Sequence, residues 1–263
     1  MLSFIDTHAH LLDEKMPDID ISREHWKCNS ISNVFVVSFD KKSIYDYNKL
    51  AIDNKDVYCI LGVHPEEVKD YTPNLEQELL EICQGEKVLA IGEIGLDYHY
   101  IDSNDEISKA KQKEVFVSQI KLADKLNLPI VIHLRDACQD MLKILKENKQ
   151  YINHGGIIHC FSESVESFRE FKKLGFAISV GGVVTFKNGK KLQEVIREAE
   201  LTDILLETDC PYLTPEPYRG QVNEPKNVYY IAEKICELKN ISMEELSVAT
   251  NKNIKRIFKK FRG

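Results

Sequence analysis

The stretch LSFIDTHAH, residues 2–10, joins an apolar run to two histidines, and seven further apolar runs follow it along the chain. A continuous apolar run of about four to eight residues, rich in β-branched side chains, is typical of a strand buried on both faces of a parallel sheet. The eight runs are Leu2–Thr7, Asn33–Phe39, Val57–Val63, Lys87–Gly92, Leu128–His133, Gly156–Cys160, Phe176–Val180 and Asp203–Thr208. They predict eight parallel strands.

Charged segments with helical spacing separate these runs. The clearest are Glu106–Leu126, Ser164–Leu174, Lys226–Leu238 and Ser242–Phe261. Eight strands that alternate with helices favour a closed (β/α)₈ barrel, the α/β TIM barrel, as a single domain over residues 1–263. The length suits this fold, which commonly takes about 250 residues. An open doubly wound sheet is the alternative architecture.

The composition limits the classes of function. Hydrophobic residues make up 43% of the chain, and 35 Lys and Arg oppose 42 Asp and Glu, a formal charge of −7. This balance argues against broad nonspecific binding to nucleic acid, but it leaves room for a nucleic-acid substrate held at one cationic site. The seven cysteines form no CxxC pair, and neither a signal-peptide pattern nor a membrane-spanning apolar run is found. We therefore predict a cytoplasmic protein with reduced thiols.

Five of the eight histidines and three carboxylates fall at the C-terminal ends of predicted strands. In a barrel these ends converge on one face, where active sites are built. The residues are His8, His10, His64, His133, His159, Glu93, Asp97 and Asp209. Neutral imidazole and carboxylate groups suit divalent ions such as zinc, manganese, iron or nickel. A single strand-end histidine is more often a core or surface residue, so the joint pattern carries the prediction of a metal centre.

The ligand types point to two ions at this centre. His8 and His10 are two residues apart on an extended chain, so both rings can face the same side. Glu93, at the fourth run, is the candidate to bridge two ions. The predicted ligands are His8, His10, Glu93 and Asp209 for one ion, and Glu93, His133 and His159 for the other. The remaining histidines are interpreted as structural or surface residues: His25, His99 and His154.

Polar side chains near the same face suit an anionic group. Arg135 lies two residues after His133, and Arg219 and Asn223 lie in the proline-rich segment PYLTPEPYRGQVNEP, residues 211–225. Prolines stiffen a loop, and arginine is suited to bidentate contacts with phosphate. For Arg219 alone, a solvated surface arginine is the simpler interpretation.

Seven stretches, spread in order over nearly the whole chain, resemble the TatD family of metal-dependent deoxyribonucleases, within the amidohydrolase-type barrels. They are FIDTHAHL, GVHPEE, IGEIGLDYH, PIVIHLRDA, IIHCFSES, LLETDCPYLTP and YRGQVNEP. Together these motifs are highly specific, whereas a bare HxH would be weak. The resemblance implies a TIM barrel that cleaves DNA phosphodiesters with divalent metal, often as a 3′-to-5′ exonuclease. It also implies a second activity, because some members have been proposed as deacylases.

The resemblance assigns roles to individual residues. It implies metal ligation by His8, His10, Glu93, His133, His159 and Asp209, with Glu93 as the bridge. It places His64, Arg135, Arg219 and Asn223 near the substrate. Two departures from the family pattern make this face less cationic. Gln221 and Val222 replace two basic residues of the family's loop, and Glu163 replaces a glycine.

The mechanism predicted from these residues is hydrolysis by water activated on two divalent ions, which can be zinc, magnesium or manganese. Asp209 is the predicted general base, and Glu93 is the other predicted catalytic residue. We expect DNA as the partner, single-stranded or at 3′ ends, and neither a membrane nor an obligate protein partner. Two rivals stay open: an amidohydrolase or esterase acting on another substrate, such as acyl-tRNA, and a metal-binding module without catalysis.

Overall fold

The computed structural model describes residues 2–263 and contains one eight-stranded parallel sheet, whose strands pair in chain order. The strands are β1 (Phe4–Ala9), β2 (Ile31–Val37), β3 (Val57–Leu61), β4 (Val88–Asp97), β5 (Ile130–Arg135), β6 (Gly156–Ile158), β7 (Phe176–Val180) and β8 (Ile204–Leu206). The eight predicted strands and the TIM barrel are confirmed. Met1, which the predicted domain 1–263 includes, lies outside the described residues.

The last strand closes the sheet onto the first. The Thr7 hydroxyl donates to the Leu206 carbonyl at 2.9 Å. Just beyond β8, the Asp209 amide donates to the His8 carbonyl at 2.9 Å. These bonds join the C-terminal ends of β1 and β8, so the sheet forms a nearly closed barrel and residues from both ends of the chain become neighbours.

Helices alternate with the strands. They are α1 (Ile19–Cys28), α2 (Lys41–Asp53), α3 (Pro73–Ile82), α4 (Glu106–Leu126), α5 (Cys138–Glu147), α6 (Val165–Lys173), α7 (Lys190–Glu198), α8 (Val228–Lys239) and α9 (Met243–Ile257). The range of α4 agrees with the prediction. Its C-terminal cap is Asn127, whose φ of 55° lies in the left-handed region and stops the helix. Among residues 2–263, none of the helices has both the length and the apolar character needed to cross a membrane.

The fourth strand is longer than its apolar run predicts. β4 continues past Gly92 to Asp97, because Ile94 and Leu96 are buried and extend its pattern. Glu93 and Asp97 therefore lie within the strand, and the predicted strand end at Gly92 is wrong. Their side chains are consequently held by the ladder of the sheet and not by a loop.

Side chains of the C-terminal segment pack inside the N-terminal end of the barrel. α9 ends at Ile257, short of the predicted Phe261, because Phe258 and Phe261 turn into the apolar cluster formed by inward-facing strand residues. The Phe35 ring packs against both, with centroid distances of 5.4 Å to Phe258 and 5.3 Å to Phe261. Polar chemistry is therefore confined to the opposite end, where the strands finish.

Candidate metal centre

The C-terminal ends of the strands surround a cavity of about 730 Å³. The predicted site residues that line it are His10, His64, Glu93, His133, Arg135, His159 and Asp209. His8 is fully buried beside Glu93 and Asp209. The structure therefore brings the six predicted metal ligands into one cluster, as the barrel topology requires of residues at these strand ends.

Glu93 lies at the centre of the cluster. Its Oε1 atom is 2.6 Å from His133 Nδ1 and 2.8 Å from His159 Nε2. Its Oε2 atom lies 3.4 Å from His8 Nε2. The two oxygens of one carboxylate thus face different imidazoles, which is the arrangement that a bridging carboxylate between two cations needs.

Asp209 occupies the β1 side of the cluster. Its Oδ1 atom lies 3.5 Å from His10 Nε2 and 3.8 Å from His8 Nε2. The residue follows β8 with a φ of 57°, the left-handed region, which Asp adopts more readily than most residues. This turn directs the carboxylate towards the two histidines at the end of β1.

The donor set fits divalent cations. The buried nitrogens His8 Nδ1 and His8 Nε2 have no hydrogen-bond partner among residues 2–263. An unpaired buried polar atom costs on the order of 1–3 kcal/mol, so these nitrogens point to a partner that the protein itself does not supply. The donor atoms of His8, Glu93 and His159 lie within 4.8 Å of one another, as do those of His8, His10 and Asp209. Imidazole and carboxylate donors in this number suit ions of the zinc or manganese type.

The division of ligands between two ions stays a prediction. His159 is predicted to share an ion with His133, but its ring stacks on His8, with centroids 3.9 Å apart. The centroids of His159 and His133 are 5.7 Å apart. His159 is therefore closer to His8, a predicted ligand of the other ion, than to His133. Glu93 contacts the rings of His8, His133 and His159.

Electrostatics keep the two central carboxylates ionised. Burial by itself raises the pKa of Glu93, but His159 and His8 outweigh this effect and hold the pKa well below its usual range. Burial likewise raises the pKa of Asp209, and the hydrogen bond with His10 and the nearby histidines more than offset it, so this pKa is lowered. Two ionised carboxylates in a buried cluster favour cation binding.

Three further carboxylates support the cluster from outside it. Asp97 Oδ2 is 2.9 Å from His133 Nε2. Glu207 is fully buried and its Oε1 atom lies 3.4 Å from His159 Nδ1. Asp6, also fully buried, accepts the His8 amide at 3.2 Å. The sequence prediction omitted Glu207 and Asp6, although Asp6 lies two residues before His8 on one strand, a spacing that places both side chains on one side.

His64 stands at the edge of the cluster as a neutral donor. Its Nδ1 atom accepts the Glu66 amide at 3.2 Å, which leaves the proton of the neutral ring on Nε2. Burial lowers the pKa of His64 to about 4, so the ring is neutral at physiological pH. Nε2 lies 3.8 Å from Glu93 Oε1, at the cavity wall.

Of the other residues predicted to bind substrate, Arg135 lines the cavity, whereas Arg219 and Asn223 do not. Arg135 ends β5 and lines the cavity. Arg219 does not line it, and its guanidinium lies 3.9 Å from the centroid of the Phe186 ring. Asn223 is fully buried and donates to the Thr208 and Tyr212 carbonyls at 2.9 and 2.6 Å. Its side chain positions the loop after β8 and does not reach the cavity.

The three histidines interpreted as structural or surface residues lie outside the cluster. His25 is in α1 and pairs with Glu224. His99 follows β4 and binds Asp136 at 2.8 Å. His154 precedes β6, at the end of the barrel opposite the cavity.

The cavity mouth carries more acidic than basic side chains. Five carboxylates from the segments that follow β1, β2 and β3 line it: Asp13, Asp40, Asp46, Glu66 and Glu67. The cations that line it are Lys42 and Arg135. Lys42 pairs with Asp46 at 3.3 Å, so Arg135 supplies the uncompensated positive charge of the mouth.

Comparison with known families and proteins locates the whole chain among metal-dependent hydrolases. Residues 5–259 match the family model described as TatD related DNase. The chain is 45% identical over 255 residues to the uncharacterized metal-dependent hydrolase YabD of Bacillus subtilis, covering 97% of this chain and 98% of that protein. It is 35% identical over 258 residues to the uncharacterized metal-dependent hydrolase YcfH of Escherichia coli, covering 97% and 95%.

Solved structures share the architecture. The TatD homologue YjjV of Escherichia coli matches with a TM-score of 0.90 at 28% identity, covering 98% of this chain and 99% of that one. A TatD family hydrolase of Entamoeba histolytica matches with a TM-score of 0.86 at 24% identity, covering 98% and 99%, and supports the fold alone. The similarity extends over the whole barrel, including every strand that contributes to the cluster.

Proposed function

Because the chain belongs to the family of TatD-related DNases, which confirms the resemblance of its motifs, we propose that it cleaves DNA phosphodiester bonds and removes nucleotides from 3′ ends. At the coarser level it is a metal-dependent hydrolase, the description that its relatives carry. The observation that supports the proposal is the Glu93 carboxylate, whose two oxygens face different imidazoles in one cavity.

The cluster would hold two divalent cations, zinc, magnesium or manganese. The residues for one are His8, His10, Glu93 and Asp209, and those for the other are Glu93, His133 and His159. Bound cations of this kind supply a water of lowered pKa and neutralise charge that develops on the phosphate. The protein contributes an ordered set of donors that needs little rearrangement.

The side chains around the cluster would bind and orient the substrate and move its protons. Asp209 is ionised and accepts a proton from the attacking water at its carboxylate. The neutral His64 ring donates a hydrogen bond from Nε2–H to a phosphate oxygen, since Nδ1 is occupied by the Glu66 amide. Arg135 contacts the phosphate with its guanidinium at the mouth.

The role of Asp209 has a direct test. We expect Asp209→Ala to lower turnover by about 10²–10⁴-fold, because the general base is lost while the buried core is untouched. Circular dichroism should show an unchanged fold. The matched control is Asp136→Ala, an exposed carboxylate near the mouth that binds His99 and no residue of the cluster. Wild-type turnover in Asp209→Ala would remove this residue from the mechanism.

The reaction itself is tested on a single-stranded oligonucleotide labelled at its 5′ end. We expect successive loss of 3′ nucleotides with magnesium, manganese or zinc, and no reaction after a chelator. Asp209→Ala, purified in parallel, shows how much activity comes from contaminating nucleases. Full-length substrate at every metal and time point would contradict the proposal.

A second candidate is hydrolysis of an amide or carboxylic ester on the same centre. The acidic mouth favours it, because five carboxylates face two cations there, and this net negative charge repels a long polyanion more than a short or weakly charged substrate. Turnover of small amides, esters or acyl-tRNA, with oligonucleotides left intact, would establish this alternative. Metal-loaded protein that is inert on all these substrates would instead favour a metal-binding module without catalysis.

The proposed substrate also implies where the protein acts and which partner it binds. We propose that the protein acts in the cytoplasm on single-stranded DNA or 3′ ends, without a membrane or an obligate protein partner. Fractionation of cells and the activity of the isolated chain test the two parts separately.

A further inference from the structure

The charge of the cavity mouth gives a DNA strand one favourable exit, provided that the proposed nuclease function holds. Carboxylates line the side formed by the segments after β1, β2 and β3. The phosphates of the remaining DNA strand would be repelled on this side. Arg135, at the end of β5, forms no ion pair within residues 2–263, so its charge is available to the strand.

An exposed aromatic ring stands beside this arginine. Tyr100 follows β4, lines the cavity, and leaves 73% of its surface exposed. The Arg135 guanidinium carbon lies 5.3 Å from the centroid of the Tyr100 ring. The nearby acid Asp136 binds His99 Nδ1 at 2.8 Å and not Arg135. An aromatic face and a free cation together form the pairing that single-stranded nucleic acid requires: stacking for a base and attraction for its phosphate.

We propose that Tyr100 is a specificity-determining residue on which the base next to the scissile phosphate stacks. Arg135 contacts the scissile phosphate beside this base, and the strand leaves the cavity over the ends of β4 and β5. Stacking selects for an unpaired strand, because the bases of a duplex already stack on one another. Every base has an aromatic face, so this contact favours a nucleobase without reading its sequence.

The other exposed tyrosine of the mouth does not offer the same surface. Tyr212 is 46% exposed and lies after β8. Its hydroxyl donates to Asp13 at 3.0 Å, and Lys15 Nζ lies 5.1 Å from its ring centroid. Both rings thus have a cation nearby, but the Tyr212 hydroxyl is bound to a carboxylate that would repel a phosphate, which makes Tyr212→Ala a matched control for Tyr100→Ala.

The test compares two single-stranded oligonucleotides that differ at one nucleotide. In one, the nucleotide on the 5′ side of the scissile phosphate carries its base; in the other, it is an abasic tetrahydrofuran, so every phosphate is retained. The measured quantity is the ratio of kcat/KM for the two substrates with metal-loaded enzyme. We expect a wild-type ratio of about ten, the scale of one stacked base. Tyr100→Ala should bring the ratio close to one, Tyr100→Phe should restore it, and Tyr212→Ala should leave it at the wild-type value.

Different outcomes distinguish this inference from the proposed function. If the enzyme cleaves neither of the two oligonucleotides nor methyl p-nitrophenyl phosphate, the proposed function is overturned, and this inference with it. Cleavage with a wild-type ratio near one overturns the inference alone. A Tyr100→Ala variant that slows both oligonucleotides equally does the same, because a structural role would affect both. An equal loss in Tyr212→Ala would also overturn the assignment to the β4–β5 side.

Discussion

Two of the imidazoles around Glu93, those of His133 and His159, have a second carboxylate at the far ring nitrogen. His133 has Nδ1 towards Glu93 and Nε2 at 2.9 Å from Asp97. His159 has Nε2 towards Glu93 and Nδ1 on the side of Glu207. A carboxylate at the far nitrogen selects the tautomer that turns a lone pair towards a cation. Asp97 and Glu207 are therefore positioning residues for the two rings.

Asp97→Asn tests the support of His133. The amide keeps the size of the side chain but removes the negative charge, so we expect metal affinity to fall about 10–100-fold. Metal content during competition with a chelator measures the change, and circular dichroism reports the fold. Asp136→Asn, which affects a carboxylate bound only to His99, is the control. Unchanged affinity in Asp97→Asn would mean that His133 is oriented by packing alone.

At the scale of elements, the closeness of β4 and β5 places Glu93 beside His133. Gly95 lies opposite His133 in the parallel register and has a φ of 151°. A Cβ at Gly95 would lie 2.0 Å from the His133 carbonyl oxygen, far inside any permitted contact. The absence of a side chain at this position is what lets the two strands approach at the metal centre.

Gly95→Ala tests this approach. We expect it to reduce the free energy of unfolding by about 3 kcal/mol or more and to weaken metal uptake, because β5 must move away from β4. Chemical denaturation and metal titration measure the two effects. Gly175→Ala is the control: its φ is 91°, but no atom lies within 4 Å of the added Cβ. It should cost only about 1–2 kcal/mol, and equal effects of both variants would refute the steric explanation.

An ion-pair cluster ties α1 to the start of β3. Asp56 accepts a hydrogen bond from Arg23 Nε at 3.1 Å and lies 3.1 Å from Lys27 Nζ. Burial raises the pKa of Asp56, but the two cations outweigh it and the pKa is lowered. A folded pKa below the unfolded value stabilises the fold above the unfolded pKa. That contribution is lost as the pH falls through the folded pKa.

Asp56→Asn should therefore have a pH-dependent effect. We expect a loss of about 1–2 kcal/mol in the free energy of unfolding near pH 7, and a smaller loss as the pH falls below about 4. Urea titrations across this range measure it. Asp53→Asn, an exposed carboxylate paired with Lys49, should show little effect at any pH. A loss for Asp56→Asn that stays constant with pH would show that charge is not the cause.

At the scale of the whole molecule, the barrel is closed by a buried carboxylate between the first and last strands. Asp6 Oδ1 accepts the Thr208 amide at 2.9 Å and the His8 amide at 3.2 Å. Asp6 Oδ2 accepts the Thr208 hydroxyl at 2.5 Å. The two bonds with Thr208 span 202 residues of chain, so the site depends on closure of the barrel as a whole.

Removal of the Asp6 carboxylate should weaken the junction between β1 and the segment after β8. We expect Asp6→Ala to lower the free energy of unfolding by about 2–4 kcal/mol, because the donors at Thr208 and His8 lose their buried partner. Hydrogen exchange should accelerate most at amides of β1 and β8. Uniform acceleration in all strands would contradict a local role at the junction.

The sequence by itself determined the class of fold and the types of group at the centre. Eight apolar runs, separated by segments of helical spacing, predicted the (β/α)₈ barrel, because burial on both faces leaves a local pattern. The order of the motifs predicted the TatD family, which the family comparison confirms. The six predicted ligands lie in one cluster because topology brings strand ends together, while their roles as ligands stay predictions.

Only the tertiary structure decided which groups touch. It buried Asn223 in the loop after β8, although its position in a polar segment suggested a substrate contact. It placed Glu207 behind His159 and an uncompensated Arg135 beside Tyr100. These outcomes depend on strand register, on loop packing and on the charges of distant segments. A local sequence pattern records whether a residue is buried, but it does not record which distant partner it meets.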